Sequence, residues 1–170
     1  TALIGNSCKR QNKEKDDFKY LMEQFADLKV MRYQLSGFDS LTLNQKILVY
    51  YLYQSALSGR DIIWDQNYKY NLTIRKTLET IVENYKGDTN SEDYKKFMVY
   101  TKRVWFSNGI HHHYSMDKFI PDFSKEYFAS LVKNTKADFP LQKDQKLDDF
   151  INWITPIIFD PKIDAKRVCL

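Results

Sequence analysis

The chain has 170 residues, 43% of them hydrophobic and 15% aromatic, which is enough for one compact domain and unlike the composition of a disordered chain. Its net charge of +4 comes from 26 basic and 22 acidic residues that are mixed along the sequence. This mixing argues against a nucleic-acid-binding protein, whose basic residues usually cluster on one face. The two cysteines, Cys8 and Cys169, do not indicate a disulfide framework, and no run of about 20 apolar residues predicts a membrane-spanning helix.

Residues 1–15 are predicted to form a flexible tail. Thr1–Cys8 is small and apolar, and the polar stretch Lys9–Lys15 follows directly. This order resembles the end of a bacterial lipoprotein signal with Cys8 as the lipidated residue, although the charged beginning of such a signal is absent and Asn6 fits its cleavage region poorly. A lipid on Cys8 would hold the protein at a bacterial membrane outside the cytoplasm, whereas an ordinary frayed N-terminus would leave it cytoplasmic.

The first ordered elements are expected from residue 16. Between Asp16 and Ala26 apolar residues recur at helical spacing, which predicts a helix, and Leu28–Leu35 alternates loosely, which predicts an extended piece or a short strand. The strongest helix signal comes next, with Ser40 or Thr42 as its cap and Ser58–Gly59 as its end. Its apolar face is formed by Ile47, Leu48, Tyr51, Leu52 and Ala56.

Five further segments complete the predicted architecture. Ile62–Trp64 is expected to be a short apolar turn, and Leu72–Tyr85 a helix that ends at Gly87. Two more helices are expected to be capped by Ser91 and Ser124. A last apolar face runs from Leu147 to Ile158, where Pro156 is expected to end or kink the helix. The predicted fold class is therefore mainly α, with one or two short extended pieces. Residues 160–170 show no closing element, which suggests an incomplete part of a larger protein.

All three histidines lie in the stretch Val104–Ser115, with the sequence VWFSNGIHHHYS, where they follow the end of the helix capped by Ser91 and are expected to form a loop. Three adjacent imidazoles suggest a metal site, but zinc requires ligands from well-separated positions, and the chain has neither a His-Glu-x-x-His helix nor a Cys-x-x-Cys pair. Two interpretations remain beside a metal-binding protein that uses His111 and His113. The loop is either a polar wall that contacts an extended peptide, or a hydrogen-bonded cluster that holds Trp105 and Phe119 in the core.

No catalytic residue is predicted elsewhere. The chain has no nucleophile elbow and no glycine-rich phosphate loop. Asn71-Leu72-Thr73 matches a glycosylation sequon, a triplet that occurs often by chance.

The loop and its surroundings resemble a known family. Gly59–Asn67 (GRDIIWDQN), Val104–Tyr114 and Asp117–Pro121 (DKFIP) look like the N-terminal part of bacterial dipeptidyl peptidase III. The resemblance covers roughly Phe25 to Lys166. Eukaryotic members are similar at the Ser-Asn pair, at an aromatic residue matching Tyr114 and at the Lys-Phe-aliphatic-Pro segment, but they carry other polar residues in place of the histidines.

The resemblance implies a function. Members of this family are two-lobed zinc peptidases that release dipeptides from peptide N-termini, and their zinc and general base come from a His-Glu-x-x-Gly-His helix and a later Glu. This chain lacks that helix, so the resemblance implies a mainly helical segment that walls the cleft. It would contact the peptide through Asn108, His113 and Tyr114 and hold no metal.

The sequence thus predicts the N-terminal, cleft-wall segment of a dipeptidyl peptidase III-like enzyme, inactive by itself, whose partners are the peptide substrate and the remainder of the peptidase chain. No cofactor is expected in this segment, because zinc belongs to the rest of the enzyme. The alternative is a standalone, lipid-anchored module that binds peptides or a partner protein.

Overall fold

The computed structural model describes residues 18–167 and is mainly helical, with one small two-stranded sheet. This confirms the predicted fold class. The chain divides into two compact units, one up to Gly37 and one from Phe38 onward, which are described separately. The predicted tail, Cys8 as the proposed lipidation site and Cys169 lie outside the described residues.

The first unit contains a β-hairpin, whose first strand lies where the sequence predicted a helix and whose second strand lies in the segment predicted to be extended. Strand β1 (Leu21–Phe25) pairs antiparallel with β2 (Leu28–Met31), and Phe25 lies opposite Leu28. Ala26 has a left-handed backbone, with φ of 48°, and forms the tight turn with Asp27. The helix prediction was wrong because a short apolar run fits both periods, and pairing with the following strand decides between them.

The second unit consists of helices with short connections. A 3-10 turn (Phe38–Ser40) precedes α1 (Leu43–Ser58) and α2 (Arg60–Asn67). The chain continues through α3 (Asn71–Asn84) and α4 (Glu92–Ser107) to α5 (Lys125–Asn134) and α6 (Leu147–Phe159). The predicted caps are confirmed: the hydroxyls of Thr42, Ser91 and Ser124 accept hydrogen bonds from the main-chain N–H groups three residues later.

One core holds α2 to α6 together. Its centre is aromatic and aliphatic, as the 3.6-residue spacing of apolar side chains requires. The largest side chains with less than 2% exposure are Trp64, Phe97, Phe128, Phe150, Ile74, Leu78, Ile81, Ile110, Leu131, Ile154, Ile158 and Val104. Since Ile110 belongs to this set, the beginning of the histidine loop is anchored in the core, which also contains Trp64 of α2.

One sequence expectation in this unit needs correction and another is narrowed. Ile62–Trp64 is not a turn but part of α2. Of the two outcomes expected at Pro156, an end of the helix is excluded, because α6 continues to Phe159. The helix continues past Pro156 because Ile157, Ile158 and Phe159 are buried, so the core stabilises the last turn although the proline removes one helical hydrogen bond.

Helix α1 differs from the others because none of its residues is buried. Its large apolar side chains are 40–73% exposed and lie on all sides of the helix. Lys46 is the only charged residue between Leu43 and Ser58. A helix that is apolar on every side is normally enclosed by other protein or by lipid. In the described part of the chain no helix has both the length and the apolar character needed to cross a bilayer.

Candidate functional site

The histidine loop begins at a left-handed helix end. Asn108 follows α4 with φ of 51°, and Gly109 has φ of 153°. The Gly109 N–H donates to the carbonyl oxygen of Val104 at 3.0 Å, which closes the last turn of α4. A β-carbon at Gly109 would lie 2.2 Å from Nδ2 of Asn71, so glycine is required by both the backbone and the neighbouring side chain.

Asn71 joins three parts of the chain. Its side chain is buried, and Nδ2 donates to the carbonyl oxygens of Trp64 at 3.2 Å and Asn108 at 3.4 Å. Its Oδ1 accepts from the N–H of Ile110 at 3.1 Å. Nδ2 of Asn67 donates to the same Asn108 carbonyl at 3.1 Å. The side-chain amide of Asn71 therefore holds the histidine loop against α2 and α3.

The loop then forms a narrow turn, whose outer side pairs with residues 160–167, here called the C-terminal segment. The N–H of Phe119 donates to Ile110 O and that of His112 donates to Asp117 O, both at 2.8 Å. On the outer side, the N–H of Lys118 donates to Ala165 O and that of Arg167 donates to Met116 O, both at 2.9 Å. The loop is thus held along both of its arms.

His111 is a buried structural residue. Its ring is 3% exposed, and Nε2 lies 2.8 Å from the carbonyl oxygen of Asp164. Because a carbonyl only accepts, Nε2 carries the proton, and the buried Nδ1 has no hydrogen-bond partner in the described part of the chain. Burial lowers the pKa of His111, and the charges of Lys118 and Arg167 act in the same direction. His111 is therefore neutral near pH 7.

The next residues form an aromatic cluster, here called the ring platform: Phe106, His112, His113 and Tyr114. The rings of His112 and His113 are stacked with centroids 4.5 Å apart, and Tyr114 lies 4.3 Å from His113. Phe106 contacts His113 at 5.3 Å by its edge. Tyr114 is 82% exposed and Phe106 43% exposed, so the platform presents flat apolar faces outward.

Hydrogen bonds fix the two histidines of the platform. Nδ1 of His112 accepts from the N–H groups of Tyr114 at 3.2 Å and Ser115 at 3.1 Å. Neutral His112 therefore carries its proton on Nε2, as a donor. Nδ1 of His113 lies 3.3 Å from Oγ of Ser107, at the end of α4. Both rings keep a defined orientation that suits contact with a ligand.

The three residues assigned by resemblance occupy different environments. His113 and Tyr114 share the ring platform. The main-chain carbonyl of Asn108 accepts hydrogen bonds from the side-chain amides of Asn67 and Asn71, and the residue is only partly exposed. Phe119 is buried, as the alternative interpretation of the loop required, and Trp105 is partly buried against the core. The loop therefore has an inner, structural half and an outer, exposed half.

Between residues 18 and 167 no three His, Cys, Asp or Glu side chains are placed to share a metal ion. The imidazole nitrogens explain this in part, because His111 Nε2 and His112 Nδ1 already bond to the main chain.

Sequence reasoning missed Asn67, Asn71 and Lys118. Asn71 was noticed only as part of a sequon, and no local pattern links it to residues 37 to 39 positions away. Phe106 lies within the stretch Val104–Ser115, but no role was predicted for it.

No protein-family model matches this chain, and no curated protein is significantly similar to it. The resemblance to dipeptidyl peptidase III therefore remains a prediction.

Proposed function

We propose that this chain is the N-terminal, cleft-wall segment of a zinc-dependent dipeptidyl peptidase III-like enzyme, in which it contacts the peptide and supplies no catalytic group. The observation that supports this proposal best is the ring platform, which is exposed and yet held in place by a buried support. A fixed platform reduces the conformational entropy that is lost when a peptide binds.

The chemistry of the platform suits a peptide. Tyr114 and Phe106 offer flat apolar faces on which an apolar or aromatic peptide side chain packs. The Nε2–H of His112 is a donor for a peptide carbonyl, since its Nδ1 is already engaged. These contacts bind and orient a peptide. They do not activate water, and in this proposal the metal and the general base belong to the rest of the enzyme.

Helix α1 supports the second part of the proposal, the partnership with the remainder of the peptidase chain. Its apolar side chains are exposed on all sides, with values such as 58% for Leu48 and 60% for Leu52. A single helix of a second copy would cover only one stripe of such a surface, whereas several elements of a larger lobe would enclose it. At about 24 Å, the 16 residues of α1 are too short to span a bilayer.

Peptide titration followed by NMR tests the peptide contact. We expect weak, millimolar binding of short peptides, because one wall of a cleft offers few contacts, with shifts confined to His112, His113 and Tyr114. Tyr114→Ala should abolish these shifts, whereas Tyr53→Ala on exposed α1 should leave them unchanged. Absence of shifts at the platform would refute the peptide contact, and micromolar affinity would favour a standalone binding module instead.

An activity assay tests the absence of catalysis. The purified 170-residue chain should not cleave dipeptidyl-arylamide substrates, with or without added zinc. Zinc-dependent turnover that survives removal of contaminating peptidases would show that the chain contains its own metal ligands and would overturn the assignment as a cleft wall.

A further inference from the structure

Lys118 is a buried cation without a carboxylate among its hydrogen-bond partners. It is 9% exposed, and its ammonium group donates to the main-chain carbonyl oxygens of Ile157, at 3.0 Å, Asp160 and Ile163. Removal of a charge from water is costly unless its donors are satisfied. All three donors of the ammonium are satisfied here, by carbonyl groups that converge from the end of α6 and the C-terminal segment.

The sequence explains why these carbonyls are available. Ile157 lies in the last turn of α6, where a carbonyl has no partner within the helix and could accept only from the N–H of the residue four positions later, beyond the helix end. That residue is Pro161, which has no N–H. Lys118 replaces the missing donor, and a positive charge at a helix C-terminus is also favoured by the helix dipole.

The same residue connects the C-terminal segment to the histidine loop. The main-chain N–H of Lys118 donates to Ala165 O at 2.9 Å, while its side chain holds Asp160 and Ile163. His111 adds a bond to Asp164 O from the opposite arm of the loop. The arm that carries Lys118 pairs with the arm that leads into the ring platform.

We propose that Lys118 is a positioning residue: its ammonium clamps the C-terminal segment onto the histidine loop and thereby fixes the ring platform for peptide contact. The clamp itself follows from the carbonyl contacts of Lys118, and its consequence for peptide binding rests on the proposed function above. The ammonium acts at a distance from the platform and touches no peptide.

Amide hydrogen exchange tests the clamp directly. Lys118→Met keeps the unbranched side chain up to its Cε position but removes the ammonium group and its three donors. The amides of Lys118, Phe119 and Arg167 should then exchange about tenfold faster or more, whereas core amides such as those of Leu78 and Phe97 should keep their protection. Lys133→Met, which removes a half-exposed lysine paired with Asp148, is the matched control and should change neither set.

Chemical rescue separates the clamp from a general loss of packing. In Lys118→Ala, added methylammonium should restore protection of the loop amides, because the cage of carbonyls binds a small primary ammonium ion. Tetramethylammonium has no N–H donor and should not restore it. Equal loss of protection in the loop and the core, unchanged protection in Lys118→Met, or failure of methylammonium to rescue would each overturn the clamp.

Peptide titration of the same variants tests the consequence. If Lys118 positions the platform, Lys118→Met should lose the peptide-induced shifts of His113 and Tyr114, and methylammonium should restore them in Lys118→Ala. Shifts that persist in Lys118→Met would refute the positioning role. If the unmodified chain shows no shifts while hydrogen exchange responds as expected, the clamp stands and the proposed peptide contact is wrong.

Discussion

The contact between Gly109 and Asn71 gives a prediction of large effect. In Gly109→Ala the new methyl group would lie 2.2 Å from Nδ2 and 2.8 Å from Cγ of Asn71, well inside van der Waals contact. The backbone at φ of 153° adds strain for any residue with a β-carbon. Because Asn71 is buried and its amide bonds to three main-chain groups, it cannot move without leaving some of these groups unpaired.

The magnitude follows from two contributions. Backbone strain costs about 1–3 kcal/mol, and each buried polar group left unpaired costs about 1–3 kcal/mol. We therefore expect Gly109→Ala to lower the free energy of unfolding by about 3–5 kcal/mol. For a chain of this size that corresponds to a decrease in Tm of about 10–15 °C.

Thermal and urea unfolding followed by circular dichroism measure this loss. Gly59→Ala is the matched control, because Gly59 has φ of −84° and its β-carbon would meet only the Ala56 carbonyl oxygen at 3.7 Å. It should change stability by less than about 0.5 kcal/mol. In an Asn71→Ala background the additional cost of Gly109→Ala should shrink, since the clash is gone. If Gly109→Ala is no more destabilising than Gly59→Ala, the reasoning about this contact is wrong.

Three further predictions concern Asn71, His111 and α1. Asn71→Asp should destabilise the protein by about 2–4 kcal/mol in urea unfolding, because a carboxylate replaces the amide donor that faces two carbonyl oxygens. Unchanged stability would contradict the role of Nδ2 as a hydrogen-bond donor to these carbonyl groups. Burial lowers the pKa of His111 in the folded state, so the unfolded chain binds the proton more readily than the folded chain. The contribution of His111 to the free energy of unfolding should therefore be constant above the unfolded pKa of about 6.5 and should fall as the pH decreases below it. His111→Gln should flatten this dependence, and an equally steep loss in that variant would assign it to other groups. The double substitution Leu48→Lys and Leu52→Lys should reduce self-association of the chain, measured by light scattering. It should change the free energy of unfolding by less than about 1 kcal/mol, since both side chains are more than half exposed. A large loss of stability would show that α1 packs against its own chain.

Local sequence patterns predicted most of the helical unit. Ser91 and Ser124 cap their helices as expected, and Gly59 separates α1 from α2. These features depend on residues three or four positions apart, which the sequence displays directly. The first strand of the hairpin was predicted as a helix because the strand is short. Whether α6 would end or bend at Pro156 could not be decided locally, because burial of the following residues, rather than local preference, stabilises that turn.

The candidate site was predictable only in part. The outward residues His113 and Tyr114 lie in a conspicuous motif, but their support comes from residues far away in sequence. Asn71 is 39 positions from Ile110, and Lys118 is 39 to 45 positions from its carbonyl partners. A lysine that serves as a buried main-chain donor has the same appearance in sequence as one on the surface. Only the fold distinguishes the two.

The composition of α1 affects how this segment behaves when it is not helical. The seven residues Ile47–Tyr53, ILVYYLY, contain no charge, no proline and no glycine, and every one has high β-propensity or is leucine. Segments of this type form intermolecular cross-β stacks when they leave the helical state. During synthesis this segment is therefore prone to aggregation until α1 has formed. Lys46, directly before the segment, is the only charged residue within α1 that discourages such stacking.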